Sequence, residues 1–153
     1  MRRALKMNAQ GFTLIELLVA MAIAAILAAI AWPGYRQVMH RTQRLEARLA
    51  LMKLQYLQER HFADHHAYAR ELRADGSNDS LPMDAVTEAG NYELSLTLEA
   101  DGQAYLAIAR ALPSGRQAGD EHCRWLSIDT LGMRRSAAAT GAWRAEPGAG
   151  CWS

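Results

Sequence analysis

The first pattern along the chain is an unbroken apolar run. From Phe12 to Trp32 it reads FTLIELLVAMAIAAILAAIAW, twenty-one residues with one charge, Glu16. As a helix that run spans roughly 30 Å, the thickness of a bilayer's hydrocarbon core. A soluble core helix is rarely apolar all round for so long, which favours a membrane-spanning helix. Pro33-Gly34 then interrupts the helical pattern. Proline removes one backbone hydrogen bond and clashes with the preceding turn, so the pair predicts a kink or a local melting. A second, amphipathic helix follows from about Tyr35 to His66. Val38, Thr42, Leu45, Leu49, Met52 and Tyr56 alternate steps of four and three, a stripe along one face. Opposite lie Arg36, Arg41, Arg44, Arg48 and Glu59. The stripe is expected to pack on the chain's own sheet; a coiled coil is the alternative.

The pattern then changes period. Residues 67–89 turn polar, and ADGSNDSLP, from Ala74 to Pro82, crowds turn residues into a loop. In GNYELSLTLEADGQAYLAIAR, Tyr92, Leu94, Leu96 and Leu98 alternate with Glu93, Ser95, Thr97 and Glu99, a half-buried strand. A two-residue turn at Asp101-Gly102 would pair Leu98 with Tyr105, Leu96 with Ala107 and Leu94 with Ala109 on the core face. It would also pair Glu93 with Arg110 and turn Leu106 and Ile108 away from the core. CRWLSID, a turn at Leu131-Gly132 and MRRSA give two more strands, and residues 137–150 read as irregular. The expected fold is α+β: a long N-terminal helix, half of it transmembrane, packed on an antiparallel sheet of about four strands within residues 91–137.

Composition adds a leader, a charge balance and a cysteine pair. The segment MRRALKMNAQG carries Arg2, Arg3 and Lys6, the charged start of an export signal. Ordinary signal cleavage on the far side of the apolar run, near Ala31, competes with a site at the Gly11-Phe12 junction. A start at Met7 would remove every leader charge, so Met1 and Met7 both stay open as start codons. Formal net charge is +1, with no global field to attract nucleic acid. Cys123 and Cys151 are the two cysteines, and in an oxidising compartment such a pair bonds. Positive-inside counting does not orient the helix, because basic residues flank it on both sides.

Gly11-Phe12-Thr13-Leu14-Ile15-Glu16, after a basic leader and before an apolar helix, closely resembles the signal of type IV pilins and pseudopilins. The resemblance implies cleavage after Gly11 by a prepilin peptidase on the cytoplasmic side, methylation of the new Phe12 amine, and pairing of Glu16 with a neighbour's Phe12 amine during assembly. It extends through Tyr35 after Pro33-Gly34, Gln58-Glu59-Arg60-His61-Phe62, Tyr68, Gly119-Asp120 before Cys123, Asp129, Gly132 and Cys151-Trp152, which look like PilE-type minor pilins. The implied organisation is a cleaved leader at 1–11, a transmembrane and filament-core helix at 12–32, and a periplasmic globular domain at 33–153. The implied partners are the peptidase, other pilin subunits, the inner-membrane assembly platform and membrane lipid. The precursor would sit in the inner membrane and the mature subunit in an extracellular pilus serving functions such as twitching motility. The alternatives are a type II secretion pseudopilin and a DNA-uptake pilin acting as a binding module.

Other constellations are weaker. His61 and His65 stand at helical i, i+4 spacing beside Asp64 and His66, which is conceivable for zinc but more ordinary at a helix C-terminus. Arg36, Arg41, Arg44 and Arg48, with His40, could meet DNA phosphates, but a solvated helix face or a lipid-headgroup contact is the simpler reading. No nucleotide loop, nucleophile elbow or paired-carboxylate site is visible in the sequence. The expectation is therefore no catalytic residue, no metal and no cofactor.

Overall fold

The computed structural model describes residues 12–77, 79–99, 101–138, 142–145 and 150–152. The leader and Gly11 lie outside the described residues. The chain divides into two compact units, 1–38 and 39–153. One α-helix, α1 (Leu14–His65), contains Pro33 in its interior. The expected break at Pro33-Gly34 is thus not a melted segment, and the two predicted helices are one element. α1 ends where His66 takes a left-handed φ of 58° and donates its N–H to Phe62 O at 2.8 Å. That is the usual way for a helix to stop, with a residue in the left-handed region closing the last turn.

In the second unit, β1 (Glu71–Leu72) pairs in parallel with β2 (Ser80–Leu81), so the predicted loop at 74–82 ends in a short strand. β3 (Tyr92–Leu98), β4 (Tyr105–Ala111), β5 (Trp125–Asp129), β6 (Arg134–Ala137) and β7 (Arg144–Ala145) form one antiparallel sheet in chain order. A 3-10 turn, Arg116–Gly119, lies between β4 and β5. The sheet has five strands where about four were expected, because β7 extends it beyond residue 137.

The hairpin register is the expected one: Leu98 opposite Tyr105, Leu96 opposite Ala107, Leu94 opposite Ala109 and Glu93 opposite Arg110. The turn differs in detail. Gly102 donates its N–H to Glu99 O at 3.0 Å with φ 70°, so it closes the turn instead of sharing its centre. Glu99 N–H still reaches Ala104 O, which preserves the pairing beyond.

The core lies between α1 and the face of the sheet carrying Tyr92, Leu94, Tyr105, Ala107, Ala109, Leu126 and Ile128. Alanines on β4 leave room for the helix. The helix face that fills this room is not the predicted stripe. Ala47, Leu51, Leu54 and Gln58 are buried, while Leu45, Leu49, Met52 and Tyr56 are exposed. The buried set also follows steps of three and four, on roughly the opposite side of the helix. Ala47, Leu51 and Leu54 join the core beside Ala107 and Ala109 of β4, and the polar groups on that side find partners.

Candidate functional site

The N-terminal end of α1 is built by Thr13 and Glu16. Glu16 N–H donates to Thr13 Oγ1 at 3.3 Å, and Thr13 N–H donates to Glu16 Oε2 at 3.3 Å. This is a capping box: the N-cap hydroxyl and the acid three places on each satisfy a backbone donor the helix leaves open. The acid in the first turn also complements the positive end of the helix dipole. From the sequence, Glu16 is expected to be eased by the helix N-terminus and to pair with a neighbour's Phe12 amine; the capping box with Thr13 is missed there, although Thr-x-x-Glu before an apolar run is its signature. Residues 12–38 are all exposed in the isolated chain, Phe12 at 89%. By length and composition, the apolar part of α1 is sufficient to cross a membrane.

In the second unit, polar side chains of α1 hold the rest of the fold. Arg44 Nε lies 2.5 Å from Asp120 Oδ2, and its second nitrogen lies 2.9 Å from Oδ1, a bidentate pair. The side chains are 14% and 2% exposed. Asp120 also accepts from Gln117 Nε2 and from the backbone N–H groups of His122 and Cys123. Burial pushes the Asp120 carboxyl up, but the Arg44 hydrogen bonds and charge, with those backbone N–H groups, hold it below the ordinary carboxylate range. His40 meets Gln117 Oε1 at 3.3 Å, and Arg48 donates to Trp152 O at 2.7 Å. Cys123 and Cys151 are disulfide-bonded beside this network. Glu46 accepts from Ala89 N–H and from the Asn91 side chain. Gln58, fully buried, satisfies both backbone groups of Ala69.

Arg44, Arg48 and His40 are therefore internal anchors, not a solvated or phosphate-facing side. Arg36 and Arg41 are exposed. His61 and His65 stack with ring centroids 4.2 Å apart, and each Nδ1 meets a backbone carbonyl, Ala67 O and His61 O. Those nitrogens serve the helix end, the reading preferred over zinc. Among the described residues there is no group of three or more metal-type ligands. Leu106 and Ile108 are half-buried on the face of the sheet away from α1, as the register requires.

The C-terminal strands carry aromatic and basic side chains that the sequence reading passed over. Trp125 and Trp143 meet edge to face at 6.0 Å. Arg124 and Arg144 are their chain neighbours, and Arg110 lies opposite Trp125 in the register. Arg110 also pairs with Glu93.

The chain is similar to known protein families from residue 6 to residue 127. The family model for the prokaryotic N-terminal methylation motif matches residues 6–32. A type IV pilin structure from Shewanella oneidensis is 23% identical, with a TM-score of 0.47, covering 69% of this chain and 98% of that one. No curated protein matches. A second family model, described as "Type IV minor pilin ComP, DNA uptake sequence receptor", matches residues 33–127. That span takes in most of the helix-and-sheet unit and more than half of the chain, and the chain belongs to this family of type IV minor pilins.

Proposed function

We propose that this minor pilin is made as a precursor, cut between Gly11 and Phe12 by a prepilin peptidase, methylated on Phe12, and incorporated into a type IV pilus or its priming complex through its N-terminal helix. The observation that carries this is the apolar, wholly exposed start of α1, with the methylation motif matched across 6–32. The precursor is held in the inner membrane by residues 12–32, with 33–153 on the periplasmic side. An exposed helix of that composition is stable only in lipid or against other such helices, so leaving the membrane requires neighbouring subunits. Glu16 pairs with a neighbour's Phe12 amine and sets axial register. Mass spectrometry of the protein from inner membranes and from sheared pili is the test. Phe12 should be the first residue, carrying one methyl group, in both fractions. A mature N-terminus near Ala31 or Trp32 would sink the proposal.

A second reading is favoured by the family's description and by one feature of the surface. The matched family is described as a DNA uptake sequence receptor. Trp125 and Trp143, with Arg110, Arg124 and Arg144 near them, combine stacking surface with phosphate-binding charge. The expected DNA contact is there and not along α1. Gel shifts at two salt concentrations check it: Arg124→Ala with Arg144→Ala should weaken binding and flatten its salt dependence, while Arg36→Ala with Arg41→Ala should not.

A further inference from the structure

Arg36 is the first charge along α1 after Glu16, and nineteen uncharged residues separate the two. Arg44 and Arg48 are taken up by the fold, on Asp120 and Trp152 O. Arg36 is not: it is exposed, and no ion pair among the described residues includes it. Two large aromatic side chains come just before it, Trp32 at 65% exposure and Tyr35 at 62%. An indole, a phenol and a guanidinium each join an apolar body to a polar tip, the chemistry of the boundary between hydrocarbon and water.

Their spacing fits that boundary. α1 is helical without a break from Leu14 through Pro33, so each residue advances about 1.5 Å. Trp32 to Arg36 therefore covers about 6 Å. One headgroup layer is roughly 5–7 Å deep, half of what a bilayer adds to its hydrocarbon core. At 100° per residue, Tyr35 and Arg36 lie about 60° to one side of Trp32 and about 40° to the other. The three share one side of the helix, within an arc of about 100°.

The far end of the span follows from the same arithmetic. Phe12 stands twenty residues before Trp32, about 30 Å away, so a Trp32 at one face of the hydrocarbon core brings Phe12 to the other. Glu16 then lies about 6 Å inside that second face. It points roughly 160° away from Trp32, on the side the aromatic pair leaves open.

We infer that Trp32, Tyr35 and Arg36 form a one-sided anchor for anionic phospholipid headgroups in the outer leaflet of the inner membrane. The indole and phenol sit at the level of the ester groups, and Arg36 meets a lipid phosphate. The anchor fixes the depth and rotation of the helix. It thereby holds the Gly11-Phe12 junction at the cytoplasmic surface and turns Glu16 away from the anchored side. An exposed arginine following an apolar helix without an acid beside it is drawn to a phosphate-bearing surface, and the length of the run places that surface at Arg36.

This rests on the reading of residues 12–32 as a membrane span, and the test separates the two. The full-length chain is reconstituted in vesicles of equal phosphatidylcholine and phosphatidylglycerol, extracted gently, and its retained lipid identified by mass spectrometry. Phosphatidylglycerol should be retained in preference. Arg36→Gln should lower that preference about fivefold, the equivalent of roughly 1 kcal/mol for one cation at an anionic surface. Arg36→Lys should keep most of it, and Arg70→Gln, which removes an exposed cation of the second unit, should leave it unchanged. In cells, a photo-reactive phenylalanine in place of Tyr35 should give adducts of phospholipid mass. The native cysteines are disulfide-bonded, so introduced thiols report depth cleanly. Gln37→Cys should react with a membrane-impermeant maleimide about tenfold faster than Ala31→Cys. An unchanged lipid preference in Arg36→Gln overturns the inference. Adducts at position 35 to protein alone, or equal labelling at 31 and 37, overturn it as well. Release of the wild-type chain from membranes by alkaline carbonate would overturn the proposed span itself, and the anchor with it.

Discussion

Removing Asp120 should unlock the second unit from its helix. Asp120→Ala leaves Arg44, whose side chain is 14% exposed, without its carboxylate partner. Removing one partner of a buried pair costs about 3–5 kcal/mol, and Arg44 keeps enough exposure to recover some hydration, which favours the lower end. The Cys123 N–H, buried and stripped of its acceptor, adds about 1 kcal/mol. The expected loss is therefore ~4 kcal/mol, a large share of the 5–15 kcal/mol that holds an ordinary domain together. Urea unfolding of the detergent-solubilised chain, followed by tryptophan fluorescence, should show the midpoint fall by about 1.3–4 M, the ~4 kcal/mol divided by a slope of about 1–3 kcal/mol per M. Arg44→Met should cost a similar amount, and Arg44→Met with Asp120→Ala should cost much less than the two together, since an apolar replacement of both partners removes the unpaired charge.

The same carboxyl gives a pH dependence whose sign is fixed. Its folded pKa lies below the ordinary 3.8, so its contribution is fully present above that value and disappears as pH falls through the lower folded value. Wild-type stability should drop more steeply below about pH 4 than that of Asp120→Asn. A single-variant loss under ~1 kcal/mol, or strict additivity in the cycle, would refute the view that this pair anchors the fold.

Glu16→Gln keeps the capping geometry and removes the charge, whereas Glu16→Leu removes both, at a capping cost of about 0.5–2 kcal/mol. Both should insert and be processed, and both should be scarce in pili; wild-type incorporation of Glu16→Gln would show that capping, not charge, is what assembly needs. Replacing Cys123 and Cys151 by serine opens a link spanning 28 residues and should cost roughly 3–4 kcal/mol in the same urea assay. Leu106→Ser should spare folding and lower piliation, because Leu106 lies on the sheet face away from α1; an unfolded domain would show that this face is core.

The sheet is legible in the sequence where alternation is strict. Tyr92 to Leu98 has one apolar residue in two, and a one-residue slip would put Glu93 in the core, so the alternation sets the register without help from the turn. β7 carries no such signal: two residues, Arg144 and Ala145, with no alternation to read. The Glu16 capping box is legible too, but the membrane cost of a charge is the larger effect and hides it.

The helix face shows where hydrophobic periodicity misleads. Two sets of residues on α1 satisfy the same steps, and the more apolar set is the exposed one. The buried set contains Gln58 and is flanked by Arg44 and Arg48, residues that look like a solvent face in any sequence window. Each becomes buriable only because a distant segment supplies a partner: Asp120 for Arg44, Trp152 O for Arg48, and both backbone groups of Ala69 for Gln58. Such pairings cross between 11 and 104 positions of chain, beyond the reach of a periodicity argument. The apolar stripe left outside is then an imbalance of the isolated subunit. A chain that turns Ala47, Leu51, Leu54 and Gln58 into its own core and leaves Leu45, Leu49, Met52 and Tyr56 outside carries a second apolar helix face, and the proposed assembly into a filament would give that face neighbours to cover it.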